Sequence, residues 1–315
     1  MTPLMARVPR PVTPRIVNEA FYRAAVAANR APSAHDRRPW RWRLNRGELE
    51  LFAAPARMSG LPDPDGRFTM IGCGAALHHA RVTLAARGWR VTASRMPDPG
   101  VPGLLARLHI DGRAPVNPAT ANLARCIRVR SSNGRPVTGD PIGPDVLRAI
   151  GTALESQHVR LAVLRPDQLL DLTLTTAHVP EPGPAEARWH AELALWTGGD
   201  RIAGTTGGSQ PPIAHGDHDR AATFAVLHGP GDRDIDWLHA GEALSTGSLV
   251  ATGLGVSVLS LSAPIEHAGA RQFLRRVMPE IFVPYQVIRL GRYPAGREYR
   301  GEVDPQRSGP RRSSC

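Results

Sequence analysis

The chain contains no lysine, and all 39 of its basic residues are arginine. That absence removes chemistries that need a primary amine: the phosphate-cradling lysine of a P-loop, the nucleotide-binding lysine of a protein kinase and the lysine of Schiff-base enzymes. Aromatic residues are scarce, at 5%, and they are not interleaved with the arginines as in a nucleic-acid-binding surface. Three cysteines, Cys73, Cys126 and Cys315, form an odd and widely spaced set. This is no disulfide framework, and it points to a reducing compartment such as the cytoplasm. The chain lacks a Gly-x-Ser-x-Gly, Cys-x-x-Cys or His-Glu-x-x-His motif. Met1 to Arg15 has no apolar core of the signal-peptide kind. The uncharged run from Ala243 to Ile265 holds three glycines and seven serine or threonine residues, so it reads as buried helix, turn and strand rather than a membrane span.

What is present is a chain of 315 residues, 42% apolar and 21% charged, which describes a globular protein able to bury a sizeable core. The net charge of +11 invites a nucleic-acid reading. Because the arginines are scattered over the whole length and follow no known recognition motif, we read a solvated basic surface instead, with no specific nucleic acid as partner.

Hydrophobic periodicity predicts helices near 16–29, 66–87, 118–128, 144–154 and 235–253. It predicts a hairpin over 40–52 and strands near 90–94, 105–110, 159–164, 222–227, 256–261 and 285–290, with two more helices between 164 and 222. The stretch 198–220, rich in Gly, Thr, Ser and Pro, reads as a lid-like loop, and 296–315 as a mobile basic tail. The two long helices echo one another. Gly74-Ala75-Ala76-Leu77 returns as Gly241-Glu242-Ala243-Leu244, Gly88 as Gly255 and Pro97 as Pro264, all at an offset of 167 residues. A shared offset in the same helix, stop and strand context points to internal duplication, with small residues letting the two helices approach closely.

Two turns stand out as candidate sites. Ala31-Pro32-Ser33-Ala34-His35-Asp36-Arg37-Arg38-Pro39-Trp40 links a helix to a strand through a rigid polar turn able to aim hydrogen-bond donors at a bound ring. Arg128-Val129-Arg130-Ser131-Ser132-Asn133-Gly134-Arg135 follows a helix and clusters guanidinium and hydroxyl groups suited to a dianion. His215-Gly216-Asp217-His218-Asp219 is the best metal-ligand candidate, but no third partner is evident and we assign no metal. His78 and His79, adjacent on a helix, are expected to face different directions.

The first turn resembles the Pro-Ser-x-x-Asn-x-Gln-Pro-Trp segment of the FMN-dependent nitroreductase superfamily, and the second its Arg-x-Ser/Thr-x-x-Arg element. Asp63-Pro64-Asp65-Gly66-Arg67, Cys73-Gly74-Ala75-Ala76-Leu77 and Asp236-Trp237-Leu238-His239-Ala240-Gly241 extend the likeness to the long single-chain, Acg-type branch. The resemblance implies an α+β nitroreductase-like fold in which two related halves, 1–112 and 113–295, form a pseudo-dimer of mostly antiparallel sheets flanked by helices. It implies FMN as cofactor, with Ser33, Asp36 and Arg38 from the first turn, Arg57 by the flavin pyrimidine, and Arg130, Ser132 and Arg135 at the phosphate. The implied activity is hydride transfer from NAD(P)H through the flavin to a small-molecule acceptor such as a nitroaromatic or quinone. A second reading is an FMN-sequestering protein with an occluded flavin. The fused unit is expected to act as a monomeric pseudo-dimer or as a homodimer. Asp36 and Arg38 replace the superfamily's asparagine and glutamine, making that amide pair an ion-pair candidate.

Overall fold

The computed structural model describes residues 13–60, 63–130, 137, 140–169, 172, 221–266 and 268–292. In chain order the elements are α1 (Pro14–Ala28), β1 (Trp40–Asn45), β2 (Glu48–Ala53), α2 (Arg67–Ala85), β3 (Trp89–Arg95), β4 (Leu104–Arg113) and α3 (Pro118–Val129). There follow α4 (Pro144–Glu155), β5 (Arg160–Val163), β6 (Thr223–Gly229), α5 (Asp234–Gly253), β7 (Ser257–Leu261), α6 (Ala263–Glu266), α7 (Ala268–Val277) and β8 (Val283–Gly291).

Local chemistry explains the boundaries. Pro14, Pro118 and Pro144 open their helices, where the missing N–H costs nothing. The Asn117 side chain accepts from the Ala119 N–H at the start of α3, and Asp63 accepts from the N–H groups of Phe68 and Thr69 at the start of α2. Arg46 and Gly47 take left-handed φ values of 47° and 79° between β1 and β2, the conformation a two-residue hairpin needs.

The strands form two antiparallel sheets of the same order, β1-β2-β4-β3 and β5-β6-β8-β7. The match extends to irregularities: β2 slips against β4 between Leu51 and Phe52, and β6 slips against β8 between Leu227 and His228. The core lies between the sheets and around α2 and α5. Phe21, Trp40, Leu51, Leu77, Leu84 and Leu108 are fully buried there, each worth about 1.5–3 kcal/mol of transfer free energy.

The duplicated helices cross at the duplicated glycines. A Cβ on Gly74 would stand 1.9 Å from the Leu238 carbonyl oxygen, and one on Gly241 1.9 Å from that of Ile71. Ile71 and Leu238 are themselves one repeat apart, so each helix presses its glycine on the same carbonyl of the other. One turn further on, His78 and His79 both reach the hydroxyl of Ser245, at 2.7 and 2.8 Å. They were expected to diverge. They converge because α5 runs across both, and Ser245 stands one repeat on from His78. Thr246 gives its proton to the Glu242 carbonyl, so it accepts from His78 Nε2–H, and Ser245 then donates to His78 Nδ1 and accepts from His79. Burial, the leading cause, pushes His78 down to about 4 and His79 well below its ordinary value. Both shifts favour the neutral ring.

Helix α7 was not expected. Its buried residues, Ala270 and Leu274, lie four apart in an arginine-rich segment, which left only a short apolar stripe to read. The predicted loop at 198–220, the tail and the His215 to Asp219 segment lie outside the described residues, as does most of the stretch assigned two helices. Among the described residues, no helix is long and apolar enough to cross a membrane.

Candidate functional site

The turn between α1 and β1 is held in an uncommon conformation. His35, Asp36 and Arg38 have φ values of 51°, 53° and 51°, a region that side chains with a Cβ enter at a cost of about 1–3 kcal/mol each. Several bonds fix it. The Asp36 N–H donates to the Ser33 carbonyl, the Arg37 N–H to that of Ala34, and the Arg38 N–H to Ser33 Oγ at 3.0 Å. Trp40 is buried behind the turn. The turn can lie on α2 because position 72 is glycine: a Cβ there would come within 3.0 Å of Pro39 and 3.4 Å of the Ser33 side chain.

In front of this turn opens a cleft of about 440 Å³ between the two halves. The first half supplies residues 31–36 with Phe68 and Ile71 of α2, and the second half supplies Leu244 of α5, Leu259 and Ser262 around β7, and Gln286 of β8. Arg130, at the end of α3, completes the wall. Its guanidinium donates to the Arg30 carbonyl at 2.9 Å, while Arg30 donates to the Arg128 carbonyl at 3.2 Å. Burial pushes the Arg130 guanidinium below its ordinary value, with Asp36 pulling the other way. A cation so enclosed favours an anionic ligand, and the Phe68, Ile71, Leu244 and Leu259 side chains offer flat apolar contact beside it.

Of the residues singled out in the sequence, Ser33, Asp36 and Arg130 line this cleft. Arg38 does not: its side chain pairs with Asp36 at 3.0 Å on the exposed side of the turn. Arg57 donates to the Arg38 carbonyl at 3.1 Å, so it braces the turn from outside the lining. Ser132 and Arg135 lie outside the described residues. His35, Ser262 and Gln286 also line the cleft and were not read from the sequence. Ser262 and Gln286 lie at strands whose periodicity reports only burial, and nothing in an unaligned sequence places them opposite a turn more than two hundred residues away.

The corresponding positions of the other half carry a cluster of charged side chains. One repeat on from Gly72 stands His239, one repeat on from Ala75 stands Glu242, and one repeat before Ser262 stands Arg95. Glu242 is fully buried and accepts from Arg81 at 2.7 Å and from Arg95 at 2.7 and 3.0 Å. Burial pushes the Glu242 carboxyl up, but the Arg95 and Arg81 guanidiniums more than reverse this and leave it below the ordinary carboxylate range. His239 packs edge-on to His158, with ring centres 6.4 Å apart. The turn itself is missing, because α4 runs into β5 through residues 156–159 alone. A larger cavity of about 1140 Å³ opens near the start of α5, lined by Met58, Asp63, Met96, Pro102 and Ile235 among others. Neither Ser33, Asp36 nor Arg130 reaches it, and its Asp63 carboxylate is already committed to the start of α2.

No family model matches the sequence. Two Mycobacterium tuberculosis (strain H37Rv) proteins bearing the name "Putative NAD(P)H nitroreductase" are similar over most of their length. Rv3131 is 32% identical over 310 residues, spanning 90% of this chain and 87% of that protein. The second, acg, is 27% identical over 307 residues, spanning 90% and 92%. Among solved structures, a nitroreductase with bound FMN from Bacteroides fragilis aligns with 15% identity and a TM-score of 0.40, covering 60% of this chain and 97% of that one.

Proposed function

The chain belongs to the nitroreductase family, and on that premise we propose that it binds FMN in the cleft between its halves and passes hydride from NAD(P)H to a small-molecule acceptor. Nitroaromatics and quinones are the acceptor class. The observation that carries this reading is the meeting of Ser33, Asp36 and the enclosed Arg130 around one cleft that also presents Phe68, Ile71, Leu244 and Leu259. Those groups suit a flat heteroaromatic ring that ends in a phosphate. When bound, FMN supplies the redox chemistry, accepting a hydride and releasing it.

The protein's share is placement and electrostatics. Arg130, with Ser132 and Arg135 as the superfamily pattern implies, holds the phosphate. Ser33 keeps its hydroxyl proton for the ligand, because its oxygen is what receives the Arg38 N–H. Phe68, Ile71, Leu244 and Leu259 exclude water from the ring. Asp36 would oppose negative charge on the ligand, and its ion pair with Arg38 offsets that charge. Arg57 acts through the turn it braces. The halves, residues 1–112 and 113–295, stand in for two subunits, so one chain completes the site.

The test is the visible absorbance spectrum of the purified protein after loading with FMN, before and after anaerobic NADPH or NADH. A bound flavin spectrum that bleaches supports the reductase. A bound flavin that stays oxidised supports sequestration instead, and failure to retain FMN would overturn the assignment of the cleft.

A further inference from the structure

The strained turn aims one side chain across the cleft. His35 Nε2 lies 3.4 Å from Ser262 Oγ and 3.8 Å from the Glu266 carboxylate. Ser262 Oγ donates its single proton to Glu266 at 2.8 Å, so the face it turns to His35 is a lone pair. Nε2 must therefore carry hydrogen, and the ring nitrogen left for other business is Nδ1. The same assignment shows that Ser262 is no nucleophile, since its proton goes to the acid and not to the imidazole. Ser262 is buried, and the Glu266 side chain is 6% exposed while His35 remains 24% exposed. One end of the imidazole is anchored in the second half, and the residue lines the cleft.

We propose that His35 is the proton donor of this cleft, positioned by Ser262 and Glu266, and that it supplies the proton accompanying hydride transfer to the acceptor. The inference rests on the reading of the cleft as a flavin site. In the balanced step a quinone gains the hydride delivered from NAD(P)H through the flavin. It also gains one proton from imidazolium Nδ1, and leaves as hydroquinone. His35 ends as neutral imidazole with hydrogen on Nε2, still held by Ser262, and is reprotonated from solvent through its exposed edge. NAD(P)H is the electron source and is oxidised to NAD(P)+. The left-handed φ values at positions 35 and 36 belong to the turn that sets the imidazole beside Ser262.

The charges around the ring come from every side. Asp36, Arg37 and Arg38 flank it on its own turn, Arg130 shares the cleft wall, and Glu266 approaches from α6. Arg271 of α7 donates to the Glu266 backbone carbonyl at 3.0 Å.

The experiment compares the wild type with His35→Asn, which tolerates a left-handed φ, and with Ser262→Ala. FMN binding is measured first, by quenching of FMN fluorescence. The flavin-loaded proteins are then reduced with dithionite and mixed anaerobically with menadione over a range of pH. Once loaded with FMN, His35→Asn is expected to pass electrons to menadione about 100-fold more slowly than the loaded wild type and to lose the pH dependence of that step. The ring 15N spectrum gives a readout independent of turnover: His35 of the wild type is expected as the Nε2–H tautomer at alkaline pH, with that bias lost in Ser262→Ala. A wild-type reoxidation rate in His35→Asn, an Nδ1–H tautomer, or a reduced wild-type protein inert to menadione would each overturn the proton role. A wild type that binds no FMN would instead overturn the flavin reading, and the proton role with it.

Discussion

The two clefts that a duplicated chain should contain have opposite fates. Both halves build the same four-stranded sheet, and both press a long helix against its copy through a glycine. Yet the first-half side keeps a cleft with an enclosed arginine, and the corresponding positions of the other side carry the ion-paired cluster of Glu242, Arg81, Arg95 and His239. Two local changes account for the difference. The connection before the first hairpin is long enough to form the Ser33 turn, whereas α4 meets β5 almost directly. Glycine at 72 makes room for that turn, and its counterpart in the other half is His239. A fold supplies two equivalent places; side chains at a few repeat-related positions decide which becomes a site and which becomes core.

The largest expected effect tests what the halves share. Gly241→Val, or Gly74→Val, should abolish cooperative folding, costing more than about 4 kcal/mol, because the new Cβ meets a helix carbonyl that cannot withdraw. Thermal unfolding followed by circular dichroism reads this, and a variant melting like the wild type would remove the close crossing from the account.

The charged cluster is tested next. Glu242→Gln takes the buried carboxylate away from the part-exposed Arg81 and Arg95, and should lose roughly 1.5–3 kcal/mol in urea denaturation. Asp36→Asn on the open side, where the carboxylate is exposed, should change stability by less than about 1 kcal/mol. Equal losses would erase the distinction between core and site.

A third expectation concerns the helix crossing and pH. The folded state keeps His78 and His79 neutral, whereas the unfolded chain protonates them at ordinary histidine values. Their contribution is thus complete above about pH 6.5 and is lost as pH falls toward about 4. The urea midpoint should drop across that window by the equivalent of roughly 3 kcal/mol, and a midpoint constant down to pH of about 4.5 would show that the rings are protonated in the fold. Smallest in stability but direct in function, Arg130→Met should weaken FMN affinity about tenfold or more while leaving the melting temperature nearly unchanged, since charge-assisted phosphate contacts are worth about 1.5–3 kcal/mol.

Much of this comparison was legible in the chain. Periodicity and the proline and glycine stops located the long helices and most strands, and the offset between Gly74 and Gly241 announced their meeting. The Ser33 turn was legible as a turn, and resemblance named Ser33, Asp36 and Arg130, which line one cleft. What stayed hidden depends on pairing between distant segments. Nothing in the sequence brings Ser262 to His35, or sets Arg38 and Arg57 behind the turn rather than in the cleft. The run His78-His79 misled because helical geometry alone separates adjacent side chains, and only the partner helix brings them to one hydroxyl.

One cleft on one side and a charged cluster on the other imply a single flavin per chain. Titration of the purified protein with FMN, followed by fluorescence quenching and checked by the flavin-to-protein absorbance ratio, should reach one FMN per chain in the wild type. The plateau should stay at one in a variant with Glu242 and Arg95 both replaced by alanine. No binding, or two flavins per wild-type chain, would contradict the division into one site and one charged cluster.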